Sequence, residues 1–275
     1  MAKEYTYAAI GNKYFCLQSS VLVVSWILLV KYRALQLESL GISRRQLRQI
    51  LKSLIKSRLF GPRNPTDAII LPLFGHLLIK VHRGYKVFNF LQSNATKYFG
   101  DEVSASDANR EIGAVIEAGS LDFAPTVVEF DPGNRWYTET LIAGKRSLKT
   151  AKLNPLIPYE KTIVNYLRAM ILSKPVRTET LSIYSHHLQN ELGARLAESH
   201  LSSELTNSIR NFFEPIATQL ASANDVAISL AWTHGDFSFV NFVYPEDQIR
   251  VIDWEDARER SLLHDLFNYF FTEIY

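Results

Sequence analysis

Residues 232–257 read WTHGDFSFVNFVYPEDQIRVIDWEDA and set acids, an Asn and a His around two apolar runs of strand character. Within them His234, Asp236 and Asn241 stand at intervals of two and five. An Asp on a loop can orient a hydroxyl and accept its proton, and an Asn carbonyl a few residues later offers a hard oxygen to magnesium. The second apolar run, IRVID, ends on Asp253, another hard ligand. H-x-D-x-x-x-x-N followed by an Asp at a strand end suits phosphoryl transfer from a metal-bound nucleotide. Apolar neighbours flank Asp236 and Asp253, so their charges are expected to be buried and to need a cation beside them. Glu246, Asp247, Glu255, Asp256 and Glu259 read as solvated turn acids.

Metal ligands alone cannot position a triphosphate, so the motif calls for a phosphate-binding Lys upstream and a carboxylate to hold it. From Gly75 the chain reads as a meander, HLLIKV, YKVFNF and ATKYF, with turns at HRG and LQSN. Lys97 lies in the third strand, and Glu111 follows on a predicted helix, NREIGAVIEA, entered through Ser or Asp caps. A strand Lys held by a helical Glu stays charged and aimed. Lys80 competes for the role, but two strands separate it from the helix, which favours Lys97. A hairpin turning at Pro132-Gly133-Asn134 completes five strands around one helix.

Strand Lys97, helical Glu111, the strand-to-linker RWYTETLIAG, the loop HGDFSFVN and VIDWEDA followed by HDL resemble the aminoglycoside phosphotransferase and choline kinase family over roughly residues 75 to 275. The resemblance implies an α+β, protein-kinase-like fold of two lobes, with ATP and magnesium as cofactors. It implies transfer of the terminal phosphate to a hydroxyl of a small molecule such as a sugar, an amino alcohol or an aminoglycoside. It assigns catalysis to Asp236, with His234 bracing the loop, and magnesium to Asn241 and Asp253. It sets Lys97 on the α and β phosphates with Glu111 holding it, adenine against the backbone of Glu139, Thr140 and Leu141, and Asp265 under the catalytic loop. The domains expected are an antiparallel five-stranded lobe (75–143) and a mostly helical lobe with the catalytic loop (144–275), preceded, outside the resemblance, by an amino-terminal helical extension (1–74).

Three departures qualify it. Asp253-Trp254-Glu255 stands where protein kinases carry D-F-G, and no A-P-E follows, which argues against an activation loop and a protein substrate. HRGYK offers only Gly84 where a glycine-rich loop would cradle phosphates. The chain also ends at Tyr275, soon after HDL, where the family continues with helices that shape the acceptor pocket. The alternative is a weak pseudokinase that serves as a nucleotide-binding or membrane-surface scaffold.

The rest of the 275 residues bound these readings. Thirty Lys and Arg against 28 Asp and Glu leave the chain near neutral, which speaks against a nucleic-acid partner. The single cysteine, Cys16, excludes an internal disulfide and fits inert packing in a reducing, cytoplasmic compartment. Tyr14 to Val30 carries no charge, yet Gln18, Ser19, Ser20 and Ser25 interrupt it, and a buried helix or a helix leading into a strand is preferred to a membrane span. Residues 43–59 predict an amphipathic helix capped by Ser43, whose basic face (Arg44, Arg45, Arg48, Lys52, Lys56, Arg58) suits peripheral contact with the inner face of a membrane. After Gly144 the apolar period is helical: Ile163, Leu167 and Met170; Leu181, Tyr184, Leu188 and Leu192; Leu205, Ile209, Phe212, Ile216 and Leu220; and, last, Leu263, Phe267, Phe270 and Ile274.

Overall fold

A computed structural model describes residues 3–10, 13–20, 52, 55–56, 68–142, 144, 159–199, 201–245 and 248–274. Strands β4 (Leu77–Val81), β5 (Gly84–Asn89), β6 (Asn94–Phe99), β7 (Val127–Asp131) and β8 (Trp136–Thr140) are the meander and hairpin expected from alternation and turn residues. Three further strands join them: β1 (Tyr5–Ile10), β2 (Lys13–Cys16) and β3 (Ala68–Leu71). The sheet is therefore eight-stranded, in the order β3-β1-β2-β4-β5-β6-β8-β7, and the expectation of five strands is corrected.

The added strands come from residues read as a helical extension. Lys13 to Cys16 pair with β1 and β4 rather than entering a helix, because Tyr14 and Phe15 meet Leu78 and Leu77 across the ladder. The basic helix predicted over 43–59 lies outside the described residues except at Lys52, Ile55 and Lys56, which are helical. Among the described residues, no helix is long and apolar enough to cross a membrane.

Helix α1 (Ala105–Ala118) begins where Ser104 Oγ accepts the Asp107 N–H at 3.0 Å. Its period of three and four turns Ala108, Glu111, Ile112, Val115 and Ala118 inward. Gly144, beyond β8, lies so close to Val243 and Pro245 that a side chain there would collide, which fixes the linker against the second lobe. That lobe contains α2 (Tyr159–Leu172), β9 (Arg177–Thr180), α3 (Leu181–Glu198), α4 (Ser203–Ser222), β10 (Ala227–Thr233), β11 (Phe242–Val243), β12 (Arg250–Val251), β13 (Arg258–Ser261) and α5 (His264–Ile274). Ile163, Leu167 and Met170 are buried on α2 as the period predicts. On α4 and α5 the predicted apolar positions Leu205, Phe212, Ile216, Phe267 and Phe270 are instead exposed among the described residues.

One core serves both lobes. Phe99, Ile112 and Tyr137 from the sheet and α1 pack in the same cluster as Met170, Trp232, Phe237 and Trp254. Phe123, just after α1, stacks on Tyr166 of α2 at 4.0 Å between centroids and leans on Trp254 at 5.9 Å. Its carbonyl also accepts the Val251 N–H at 2.8 Å. A second, smaller cluster of Tyr7, Cys16, Leu71, Leu78 and Val87 fastens β1–β3 to the sheet. Cys16 is wholly buried there, and that burial pushes its thiol pKa up, which disfavours the reactive thiolate.

Candidate active site

The loop that carries Asp236 is held by α5. β10 ends at Thr233, and the next two backbone N–H groups, of His234 and Gly235, donate to the Asp265 carboxylate at 2.6 and 2.9 Å. Asp265 sits at the start of α5 and is nearly fully buried, so HDL braces the loop as the resemblance implied. Gly235 has φ 91°, and a Cβ there would run into Arg260 and the Asp256 carbonyl. Its own carbonyl accepts from Asn268 Nδ2 at 3.0 Å.

His234 is completely buried and does not reach the cleft. Nε2 donates to the Ile252 carbonyl at 2.9 Å, and Nδ1 accepts the Asp236 N–H at 3.2 Å, which fixes the tautomer. Burial lowers its pKa, keeping the ring neutral. Trp254 meets it edge-on at 4.6 Å. His234 is thus a positioning residue that ties the Asp236 loop to the strand leading to Asp253.

Asp236 and Asp253 are both exposed, contrary to the burial expected from their neighbours. The neighbours do go inward, Phe237 at 0% exposure and Trp254 at 2%, and the backbone turns each Asp the other way. At Asp253 the turn is left-handed, φ 65°. Asn241 Nδ2 donates to the Asp236 carbonyl at 2.9 Å and to Oδ2 at 2.8 Å, so the atom Asn241 can offer a cation is Oδ1. The Asn241 carbonyl accepts the Ile252 N–H at 3.0 Å, which brings Asn241 beside Asp253. Two hard oxygen donors at one cleft edge fit magnesium, which keeps waters and phosphate oxygens for its remaining positions.

Above the loop, Lys97 Nζ lies 2.6 Å from Glu111 Oε1, with both side chains buried. Tyr137 OH donates to the same oxygen at 3.4 Å. Lys97 also bonds Glu255, two residues past Asp253, so the strand Lys and the Asp253 segment meet directly. Glu255 is therefore no solvated turn acid. Asp256 and Glu259 also pair, with Arg195 at 3.8 Å and Arg177 at 3.1 Å, and Glu246 and Asp247 lie outside the described residues. Lys80 is exposed over the Tyr14 ring, away from Glu111.

Burial raises the Glu111 carboxyl to about 7; Lys97 opposes the rise and Glu255 adds to it. Of the residues assigned to adenine, Thr140 N–H donates to Thr126 O at 2.9 Å and Leu141 N–H to Ser93 O at 2.8 Å. Both donors are occupied within the protein. The Glu139 side chain instead meets Lys86 at 2.7 Å, a cleft residue that the sequence reading missed. Its signal was a Lys inside the apolar strand YKVFNF, opposite Lys97.

Beside the loop a cavity of about 380 Å³ opens between α3, α4 and α5. Leu188, Leu192, Phe213 and Ile216 form its wall, and Gly235 and Arg260 its floor.

No protein-family model matches the chain, and no curated protein matches it. Among solved structures, it is similar to a choline kinase from Streptococcus pneumoniae at 18% identity and TM-score 0.48, over 74% of this chain and 68% of that one. A choline/ethanolamine kinase family protein from Mesorhizobium loti follows at 18% and 0.40, over 72% and 60%. An aminoglycoside phosphotransferase from Streptomyces rimosus aligns at 16% and 0.37, over 71% and 76%. The chain thus spans 68% and 60% of the length of the first two.

Proposed function

We propose that the chain transfers the terminal phosphate of ATP, with magnesium, to a hydroxyl of a small molecule. The observation that carries this reading is the bridge from Lys97 to both Glu111 and Glu255. The bridge joins a buried cation to the segment that carries Asp253, as phosphate binding by Lys97 beside a metal there would require.

Magnesium, held by Asn241 Oδ1 and Asp253, would neutralise charge on the transferred phosphate. Lys97 holds the α and β phosphates, and Glu111 keeps its ammonium aimed. Asp236 lies exposed at the cleft with one carboxylate oxygen fixed by Asn241, and it accepts the proton of the incoming hydroxyl. The acceptor enters from the cavity beside Gly235, which adjoins Asp236. Sugars, amino alcohols and aminoglycosides remain the acceptor classes to test, because acceptor choice depends on the shape of that cavity and not on the transfer machinery.

The test incubates the chain with magnesium, ATP and a panel of hydroxyl compounds and detects phosphorylated product by mass spectrometry. Asp236→Ala and Asp253→Asn, the latter suited to the left-handed backbone at that position, should each lower turnover by about 10²–10⁴-fold while the chain stays folded. Full turnover in either variant would contradict the assignment. Nucleotide binding with no turnover on any compound would favour the pseudokinase reading, for which Glu255 already occupying Lys97 is the supporting observation.

A further inference from the structure

We propose that Lys86 is a second phosphate-binding residue of this cleft, paired with Glu139 and shifting to the triphosphate when nucleotide binds. The inference rests on the nucleotide site proposed above and adds a residue to it.

The β4–β5 turn is where a glycine-rich loop would lie. Here the ladder closes at Val81 and Gly84, leaving only His82 and Arg83 to turn the chain. Arg83 is left-handed at φ 66°, and a Cβ on Gly84 (φ 140°) would strike the Tyr98 carbonyl. A turn this short and this tightly packed cannot fold over a triphosphate or offer it a row of N–H groups. Phosphate donors on this side of the cleft must then be side chains.

Lys86 is placed to be one. It pairs directly with Lys97 across β5 and β6, and directly opposed residues of an antiparallel pair project from the same face. Both ammonium groups therefore point into the cleft. Glu139, on β8 at the far side of β6, holds Lys86 at 2.7 Å, with side-chain exposures of 17% and 11%. Burial alone would lower the pKa of Lys86, but Glu139 and then Asp253 and Glu255 outweigh it and keep the group charged. Lys97, directly opposite Lys86 across the ladder, bonds Glu255 beside Asp253, which sets the two lysines on the same side as the proposed metal-binding edge. Two like charges on adjacent strands repel, and a polyanion between them relieves that repulsion.

A competing structural account would have Lys86 do nothing but neutralise Glu139. Calorimetric titration of the full chain with MgATP, and separately with adenosine, separates the two. Lys86→Met should weaken MgATP binding about tenfold, the loss of one charge-assisted hydrogen bond, and leave adenosine binding unchanged. Lys86→Arg should restore most of the affinity. Glu139→Gln should tighten MgATP binding, because it removes the competitor for Lys86. The double variant Lys86→Met/Glu139→Gln, which leaves no unpaired charge to disturb folding, should behave as Lys86→Met does. Unchanged MgATP affinity in both Lys86→Met and the double variant overturns the inference, as does an equal loss for adenosine. If the wild-type chain binds neither ligand, the nucleotide site itself fails. That outcome is distinct from a wild-type chain that binds MgATP while the variants match it.

Discussion

Lys97 has two carboxylates in contact and one positive charge to share between them. The more buried of the two, Glu111, is the one that protonates near neutrality, at about 7, because burial and Glu255 raise it more than Lys97 lowers it. Since that value lies above the 4.5 of a free Glu, the folded state binds the proton more tightly than the unfolded chain. The resulting stability is complete below pH 4.5 and is lost as pH rises through about 7. Glu111→Gln should remove up to roughly 3 kcal/mol of that pH dependence. Urea unfolding of both proteins at pH 4.5, 6 and 8 would show wild type losing stability relative to the variant; parallel curves would contradict the assignment. Spacing along the chain was enough to pair Lys97 with Glu111. It missed Glu255, whose bond to Lys97 joins residues 158 positions apart.

The loop that carries Asp236 is short, and its geometry is imposed by its neighbours. Asp265 takes two consecutive N–H groups, His234 ties the loop to Ile252, and Asn241 ties it to Asp236. Asp265→Ala should cost about 2–4 kcal/mol of unfolding free energy by leaving two buried donors unpaired. Turnover should fall even at temperatures where the variant is fully folded. A variant with wild-type stability in urea would show that the loop holds its shape unaided. Helix α1 and the hairpins were readable from caps, apolar periods and turn residues, all of which act within a few positions. The edge strands were not. β1 finds its partner β3 from Tyr5 to Leu71, a pairing between distant segments that neither signals by itself.

The lobes share a core, with Phe99 and Ile112 from one side and Trp232 and Trp254 from the other. Trp232 and Trp254 stack at 5.5 Å while Trp136 lies on β8, so tryptophan fluorescence reports tertiary packing in both lobes, whereas far-UV circular dichroism follows helices and sheet throughout. A shared core predicts one cooperative transition in which both signals coincide. Phe123→Ala, which empties the contact between α1, α2 and Trp254, should lower stability by about 3–5 kcal/mol. Separate midpoints for the two signals would mean that the lobes unfold independently.

The sequence alone determined the grouping of Asp236, Asn241 and Asp253, because they lie close along the chain. It also determined the antiparallel hairpins and the capped helix, which local forces decide. Only the tertiary structure decided that the sheet has eight strands, that Asp236 and Asp253 are exposed, that His234 is wholly buried, that Lys86 pairs with Glu139 and that Glu255 pairs with Lys97. Each of these depends on contacts between distant segments, where burial and ion pairing are set by the packed whole.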